Sequence, residues 1–172
     1  SSLFGVSPRM RFDMAVNEMV LELYKTKKIT VRGKTNQRPF LHLKDAVNAY
    51  KLVLNAPKEK IAGQIFNVGT DKQNYKIGDL AEEVAKSIDV NCTLELGDNK
   101  DHRSYFTSFK KIHDVLSFSP KFDVAYGAKE MFTALENHEI NDSLETFTLK
   151  WYKHIMSDEH LSKEFSIDGK LL

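Results

Sequence analysis

The 172 residues amount to about one domain of ~150 residues, and 41% hydrophobic and 28% charged residues are typical of a globular protein. The 25 Lys and Arg residues nearly balance the 24 Asp and Glu residues, and the net charge of +1 argues against a nucleic-acid-binding protein. The single cysteine, Cys92, excludes an intrachain disulfide and favours a cytoplasmic location, while no apolar run approaches the ~18–20 residues of a membrane span.

The first third of the chain predicts three short strands and one helix. Residues 1–5 resemble part of a strand, and residues 11–25 carry apolar side chains at helical spacing. The apolar face of that helix consists of Phe12, Val16, Met19, Val20 and Leu23. The β-branched segment 29–31 predicts a second strand. The polar segment 34–38 predicts a loop, and residues 40–43 predict a third, short strand or extended segment.

The middle of the chain predicts two helices around one buried strand. Asp45 is a candidate N-cap for a helix over 45–55. The apolar face predicted for this helix is Ala46, Ala49, Tyr50, Val53 and Leu54. The apolar run 65–68, bounded by glycines, predicts a buried strand. A helix over 77–89 follows, with an apolar face formed by Ile77, Leu80, Ala81, Val84, Ala85 and Ile88.

The last third alternates in the same way. A strand over 92–96 leads into a charged loop, and Ser108 is a candidate cap for a helix over 109–116. Helices are expected over 124–137 and 144–157, with fraying beyond 158. About four strands alternating with five helices predict the α/β class. A closed doubly wound sheet needs more strands, so the chain is expected to form part of such a fold.

Catalytic and metal-binding templates are missing from the sequence. It contains no Gly-x-Gly-x-x-Gly, no Walker loop and no Gly-x-Ser-x-Gly, and its six histidines are not at metal-ligand spacing. Tyr24 and Lys28 match the Tyr-x-x-x-Lys acid/base pair of short-chain dehydrogenases. We interpret that match as coincidence, because it lies at the end of a lysine-rich helix with no dinucleotide fingerprint before it. We therefore predict no catalytic residue and no metal site in this chain.

Four arginines are the best candidates for ligand binding. Arg9, Arg11, Arg38 and Arg103 lie beside turns or helix starts, where a guanidinium can bind phosphate bidentately. The alternative is that all four are solvated and pair with nearby carboxylates. Spacing alone does not decide between these interpretations.

Several motifs in register resemble one known family. They are Ser-Pro-Arg-Met-Arg-Phe-Asp at 7–13, Arg-Pro-Phe-Leu-His-Leu-Lys-Asp at 38–45 and Phe-Asn-Val-Gly at 66–69. In this order they resemble the C-terminal half of the extended short-chain dehydrogenase/reductases, the NAD-dependent nucleotide-sugar epimerases and dehydratases. The resemblance covers residues 1–138, followed by a helical tail over 139–172. It implies that residues 1–172 form one substrate-binding domain of an extended Rossmann-type fold that lacks the dinucleotide-binding half.

The resemblance also implies roles for individual residues. Ser2 lies where relatives often place an asparagine that contacts the substrate, and Arg11 and Asn17 lie at the start of the substrate-side helix. Thr30 and Arg32 flank the position of the nucleotide base, where the guanidinium replaces the usual aromatic ring.

Three further positions concern the nucleotide's diphosphate and ribose. Arg38 matches the arginine that binds the diphosphate, and Asp101 matches the position that holds the ribose. Relatives carry a second diphosphate arginine where this chain has Asp98, so either Arg103 substitutes or the diphosphate is held differently. His42 is expected to pack and to form hydrogen bonds rather than to catalyse.

The functional hypothesis is a substrate-binding portion of an NAD-dependent sugar-nucleotide epimerase or dehydratase. In the parent protein a tyrosine base and NAD(P) would move hydride from and to the sugar, but the glycine-rich loop and catalytic Tyr-x-x-x-Lys would lie before Ser1. This chain alone is then not expected to retain the cofactor. Its expected partners are a nucleotide-diphosphate sugar and either the missing half or a second copy. The alternative is a non-catalytic module that binds a nucleotide or a protein.

Overall fold

Helices and short strands alternate along most of the chain, as the α/β prediction requires. A computed structural model describes residues 1–98, 103–168 and 170–171. The strands are β1 Ser2–Phe4, β2 Lys28–Arg32, β3 Gln37–His42, β4 Asn74–Lys76, β5 Thr93–Gly97, β6 Ser166–Ile167 and β7 Lys170–Leu171. The α-helices are α1 Ala15–Thr26, α2 Leu43–Leu54, α3 Lys58–Ile61, α4 Ile77–Ser87, α5 Lys110–Leu116, α6 Val124–Glu136, α7 Thr148–Ser157 and α8 Glu159–Glu164.

The described strands form three small sheets. The first has the order β1-β3-β4, with β1 parallel to β3 and β4 antiparallel to it. The second pairs β2 with β5 in parallel, so that Arg32 lies opposite Gly97 where both strands end. The third is the hairpin of β6 and β7. Parallel pairs joined through helices are the hallmark of α/β folds.

The main hydrophobic core lies between α1, α4 and α6. All five residues of the apolar face predicted for the first helix are buried. The helix itself begins at Ala15 rather than at residue 11, because Met14 has an extended backbone. Asn17 stabilises the loop before the helix: its carbonyl accepts from the Gly5 N–H and its amide donates to the Arg11 carbonyl. The predicted apolar face of α4 is also buried, except that Ala85 is half-buried.

The helix α2 differs from the prediction at its start and on its face. His42, not Asp45, caps it: the imidazole Nδ1 accepts from the Lys44 N–H. The buried Asp45 carboxylate instead accepts backbone N–H bonds from Lys121 and Phe122. Ala46 and Ala49 are buried as predicted. Tyr50 and Leu54, however, are 75% and 82% exposed, because the described elements that α2 contacts cover only the alanine side of the helix.

Two strand predictions also change. The run 65–68 is wrong as a buried strand: within the described residues it joins no ladder, and Ile65 is 84% exposed. A short apolar run becomes a strand only where a neighbouring strand supplies its hydrogen bonds. The strand β3 begins at Gln37, three residues earlier than predicted, since β4 pairs with Gln37, Arg38 and Pro39. Arg38 therefore lies in a strand rather than in a loop.

The C-terminal region is more ordered than the prediction of fraying allows. The Phe12 N–H donates to the Thr146 carbonyl, and Phe12 and Phe147 have ring centroids 6.4 Å apart. After residue 158 the chain forms α8 and the β6–β7 hairpin, and Phe165 packs on Trp151. The α5 helix begins at Lys110, whose N–H donates to Ser108 Oγ at 3.4 Å, while Asp71 accepts the N–H of Phe109, the N-cap residue. None of the described helices is both long and apolar enough to cross a membrane.

Candidate functional site

One open cleft of about 750 Å³ brings together residues from widely separated parts of the chain. It lies where the parallel strands β2 and β5 end, and its other walls are α1, the start of β3 and residues 103–105. Ligands of open α/β sheets usually bind outside the carboxyl ends of parallel strands. Five of the eight site residues predicted from the sequence line this cleft: Ser2, Thr30, Arg32, Arg38 and Arg103.

Arg38 is half-buried on β3, opposite Tyr75 of β4. Its guanidinium carbon lies 5.5 Å from the centre of the Tyr105 ring. A cation–π contact uses no N–H donor of the guanidinium, so it is chemically compatible with charge-assisted hydrogen bonds to an anion. Arg103, two residues before Tyr105, lines the same cleft, so two arginines border it on this side.

Arg32 is bound by two carboxylates of α1. Its guanidinium nitrogens lie 3.2 Å from Glu18 Oε1 and 3.5 Å from Glu22 Oε1. Glu22 also accepts the Thr30 N–H at 2.7 Å, which ties the helix to β2. Burial raises the pKa of Glu18 above its ordinary value, and the charge of Arg32 partly opposes that shift. A ligand that uses Arg32 must therefore compete with this carboxylate pair.

The other predicted residues lie elsewhere. Arg11 does not line the cleft, and it forms a two-bond ion pair, at 3.1 and 3.0 Å, with Asp13, which does. Asn17 is only 4% exposed. Its side-chain amide already forms hydrogen bonds with the backbone of Gly5 and of Arg11. Arg11 and Asn17 instead border a neighbouring groove with Leu3 and Met14. Asp101, the predicted ribose contact, lies outside the described residues.

Glu18, Glu22 and Tyr105 are among the cleft residues that were not predicted as site residues from the sequence. Glu18 and Glu22 are four residues apart, and that spacing places them on one helix face opposite the apolar stripe. Tyr105 also lines the cleft, on an extended segment that runs beside β3. The helical spacing of Glu18 and Glu22 could have predicted that both lie on the polar face of α1. Tyr105 lies two residues from the predicted Arg103, but its contact with Arg38 joins residues 67 positions apart and leaves no pattern in the local sequence.

Residues that the sequence analysis set aside as non-catalytic have structural partners. The Tyr24 ring packs edge-on against Phe132, and Lys28 pairs with Glu95 at 2.6 Å. His42 is buried, with Nε2 3.0 Å from Glu130. Among the described residues, no group of three His, Cys, Asp or Glu side chains is placed to hold a metal ion.

Comparison with known proteins gives a family model and many solved structures. A model of the NAD dependent epimerase/dehydratase family matches residues 1–69. RMD from Pseudomonas aeruginosa, complexed with NADPH, is 17% identical with a TM-score of 0.67, and the match covers 80% of this chain and 46% of that protein. UDP-glucuronic acid 4-epimerase from Bacillus cereus, in complex with UDP-glucuronic acid and NAD, is 21% identical with a TM-score of 0.67, covering 80% and 43%.

A third structure, dTDP-glucose 4,6-dehydratase from Bacillus anthracis in complex with NAD, is 20% identical with a TM-score of 0.61, covering 86% and 44%. The chain shares the Rossmann-like α/β fold of these enzymes. It spans less than half the length of each of these three structures. The predicted fold class is thereby confirmed, and the family model agrees with the motifs at 7–13, 38–45 and 66–69.

Proposed function

We propose that the chain forms the nucleotide-sugar-binding side of an NAD(P)-dependent nucleotide-sugar epimerase or dehydratase, with residues 1–172 acting as one substrate-binding unit in the cytoplasm. The observation that carries the proposal is the gathering of Thr30, Arg38 and Arg103 around one cleft at the ends of parallel strands. The family model over residues 1–69 supports the same class of enzyme. Two of the structures with this fold are an epimerase with a bound UDP sugar and a nucleotide-sugar dehydratase.

In this proposal Arg38 and Arg103 bind the diphosphate, and Thr30 and Arg32 border the base. Arginine suits this task because its planar fork forms paired, charge-assisted hydrogen bonds with phosphate oxygens. Arg32 contributes once the ligand draws it away from Glu18 and Glu22. The binding energy of the nucleotide then serves to orient the sugar at the reacting centre.

The cofactor of this enzyme class would supply the hydride step, and the described residues do not fit it. A dinucleotide pyrophosphate needs free backbone N–H groups in the turn after a strand. After β1 the Gly5 N–H donates to Asn17 and the Val6 N–H donates to the Glu130 carboxylate. A Cβ added at Gly5 would lie 2.5 Å from His42, so this glycine serves packing. In the turn after β1, the Glu130 carboxylate thus occupies a backbone N–H that a pyrophosphate would need.

We therefore propose that a dinucleotide-binding partner covers the apolar surface beside β1. Within the described part of the chain β1 pairs only with β3, so its other edge is open. A groove of about 550 Å³ is lined by residues of β1, β3 and α2, among them the exposed Leu3 and Tyr50. Exposed apolar surface next to an open strand edge is typical of an interface. The partner is either a Rossmann-type half or a second copy.

Isothermal titration of the chain with UDP and dTDP tests the function, with Arg38→Ala as the key variant. Loss of a charge-assisted contact of about 1.5–3 kcal/mol should weaken binding of the diphosphate by about tenfold or more. Arg9→Ala is the matched control, because Arg9 is exposed and lies outside the cleft. Equal affinities of the wild type and Arg38→Ala, or no binding of either nucleotide by the wild type, would contradict the proposal.

A further inference from the structure

Tyr105 has an unusual place in the fold, since it borders both the cleft and the apolar groove beside β1. Its side chain is 47% exposed, although it is an aromatic residue in a segment without regular secondary structure. The ring centre lies 5.5 Å from the guanidinium carbon of Arg38. This distance is within the range of a cation–π contact, which is about 6 Å.

The backbone around Tyr105 is fixed independently of its ring. The Tyr105 N–H donates to the Gln37 carbonyl at 2.9 Å, and the Gln37 N–H donates to Ser104 Oγ at 3.0 Å. The Asn74 side chain completes the attachment: its oxygen accepts the Thr107 N–H and its amide donates to the Thr107 carbonyl, both at 3.0 Å. The Asn74 side chain thus pairs with both the N–H and the carbonyl of Thr107, as the backbone of a neighbouring strand does.

Arg38 follows Gln37 on β3, so the strand that anchors Tyr105 also carries the arginine. The two side chains are therefore held by one frame of hydrogen bonds rather than by two mobile loops. Free arginine side chains lose about 2 kcal/mol of rotamer entropy when they are immobilised. A ring that already restricts the guanidinium removes part of that cost from ligand binding.

We propose that Tyr105 is a positioning residue whose ring face orients the Arg38 guanidinium toward the two phosphates of a nucleoside diphosphate. The inference rests on the proposed function. It adds that Tyr105 makes the cleft bind a nucleoside diphosphate in preference to a monophosphate. A cation–π contact restricts the guanidinium without using its N–H donors, so it is compatible with charge-assisted hydrogen bonds from Arg38 to phosphate. The tyrosine hydroxyl has no part in this role.

Isothermal titration of the chain with UDP and with UMP tests the proposal, using Tyr105→Leu and Tyr105→Phe. Removal of a partly exposed cation–π contact should weaken UDP binding by about three- to tenfold. UMP binding should change less, and Tyr105→Phe should retain the wild-type affinities because the ring remains. Phe106→Leu is the matched control: the neighbouring ring is 58% exposed and lines neither the cleft nor the groove.

A double-mutant cycle separates positioning from a general structural role. In the Arg38→Ala background, Tyr105→Leu should have no further effect on UDP affinity, since the ring would have nothing left to orient. Equal UDP affinity of Tyr105→Leu and the wild type overturns the inference alone. Equal losses for UDP and UMP overturn it too, because they indicate that the ring contacts the nucleoside. A wild type that binds no UDP overturns the proposed function and this inference together.

Discussion

The buried His42 joins four parts of the fold through one hydrogen-bond network. Its Nδ1 accepts the Lys44 N–H at 3.2 Å, so the neutral ring carries its proton on Nε2 and donates to Glu130 at 3.0 Å. Glu130 also accepts from the Lys44 ammonium and from the Val6 N–H. The network links β3, the start of α2, α6 and the turn after β1.

The network makes stability depend on pH. Burial lowers the pKa of His42 below its ordinary 6.5, although Glu130 partly opposes the shift. His42 therefore binds a proton more readily in the unfolded chain than in the folded chain. The free energy of unfolding falls as the pH drops below about 6.5. Burial raises the pKa of Glu130, but hydrogen bonds from Lys44, His42 and Val6 outweigh it and the net pKa is lowered. That second contribution is lost at lower pH, below the ordinary 4.5 of the carboxyl.

We expect the free energy of unfolding to fall by up to about 1 kcal/mol between pH 6.5 and pH 5.5 because of His42. Urea denaturation across this range measures the change. His42→Gln should flatten the curve, since glutamine does not titrate. The control His160→Gln, at an exposed position, should leave the slope unchanged. A slope that is the same in His42→Gln and the wild type would show that His42 is not its source.

Among the helices, apolar stripes determined which elements form and which of them pack. Leu80 of α4 is fully buried in the core shared with α1 and α6. On α2, by contrast, Leu54 is 82% exposed although it lies in an equally regular helix. The same residue type at the same helical spacing therefore has opposite environments in the two helices.

Leu80→Ala should lower the free energy of unfolding by about 2–5 kcal/mol, because the core cannot close fully around the cavity. Leu54→Ala should change it by no more than about 0.5 kcal/mol in the isolated chain, since its side chain is already in solvent. Urea denaturation of both variants measures the difference. Similar losses in the two variants would mean that the α2 face is covered in solution.

Strands were less predictable than helices because their hydrogen bonds come from distant residues. The runs 29–31 and 92–96 were found, and they pair with each other as β2 and β5. The run 65–68 has a higher fraction of apolar residues than either of them, yet it joins no ladder among the described residues. Gln37 and Arg38 are polar, yet they join β3 because β4 reaches them from 36 or more positions away. Local sequence carries no information on such pairing.

At the scale of the whole molecule, large apolar side chains are exposed on α2 and on the segment that follows it. Tyr50 and Leu54 of α2 and Ile65 of the following loop are all at least 75% exposed. Tyr50 also lines the groove that Leu3 of β1 borders. Exposed patches of this kind usually mark an interface.

We expect the isolated chain to associate at concentrations of about 100 μM, through hydrophobic burial at this surface. Sedimentation velocity measures this. The triple variant Tyr50→Glu, Leu54→Glu and Ile65→Glu should sediment as a monomer, because charges resist burial.

The matched control adds the same three charges at exposed polar positions: Asn48→Glu, Asn91→Glu and Thr93→Glu. It should associate like the wild type. A wild type that stays monomeric at all concentrations would exclude a second copy as the partner. A control that becomes monomeric would attribute the effect to net charge instead.

The sequence by itself determined the α/β class, the helical cores and five of the residues that line the cleft. Apolar spacing acts within one helix turn, and the motifs at 7–13 and 38–45 lie in continuous segments. Tertiary structure alone decided which partners those residues have. It paired Arg32 with Glu18 and Glu22, and it set Arg38 on the Tyr105 ring. It also exposed one face of α2. These outcomes depend on contacts between residues far apart in the chain, where side-chain charge and packing compete for the same partners.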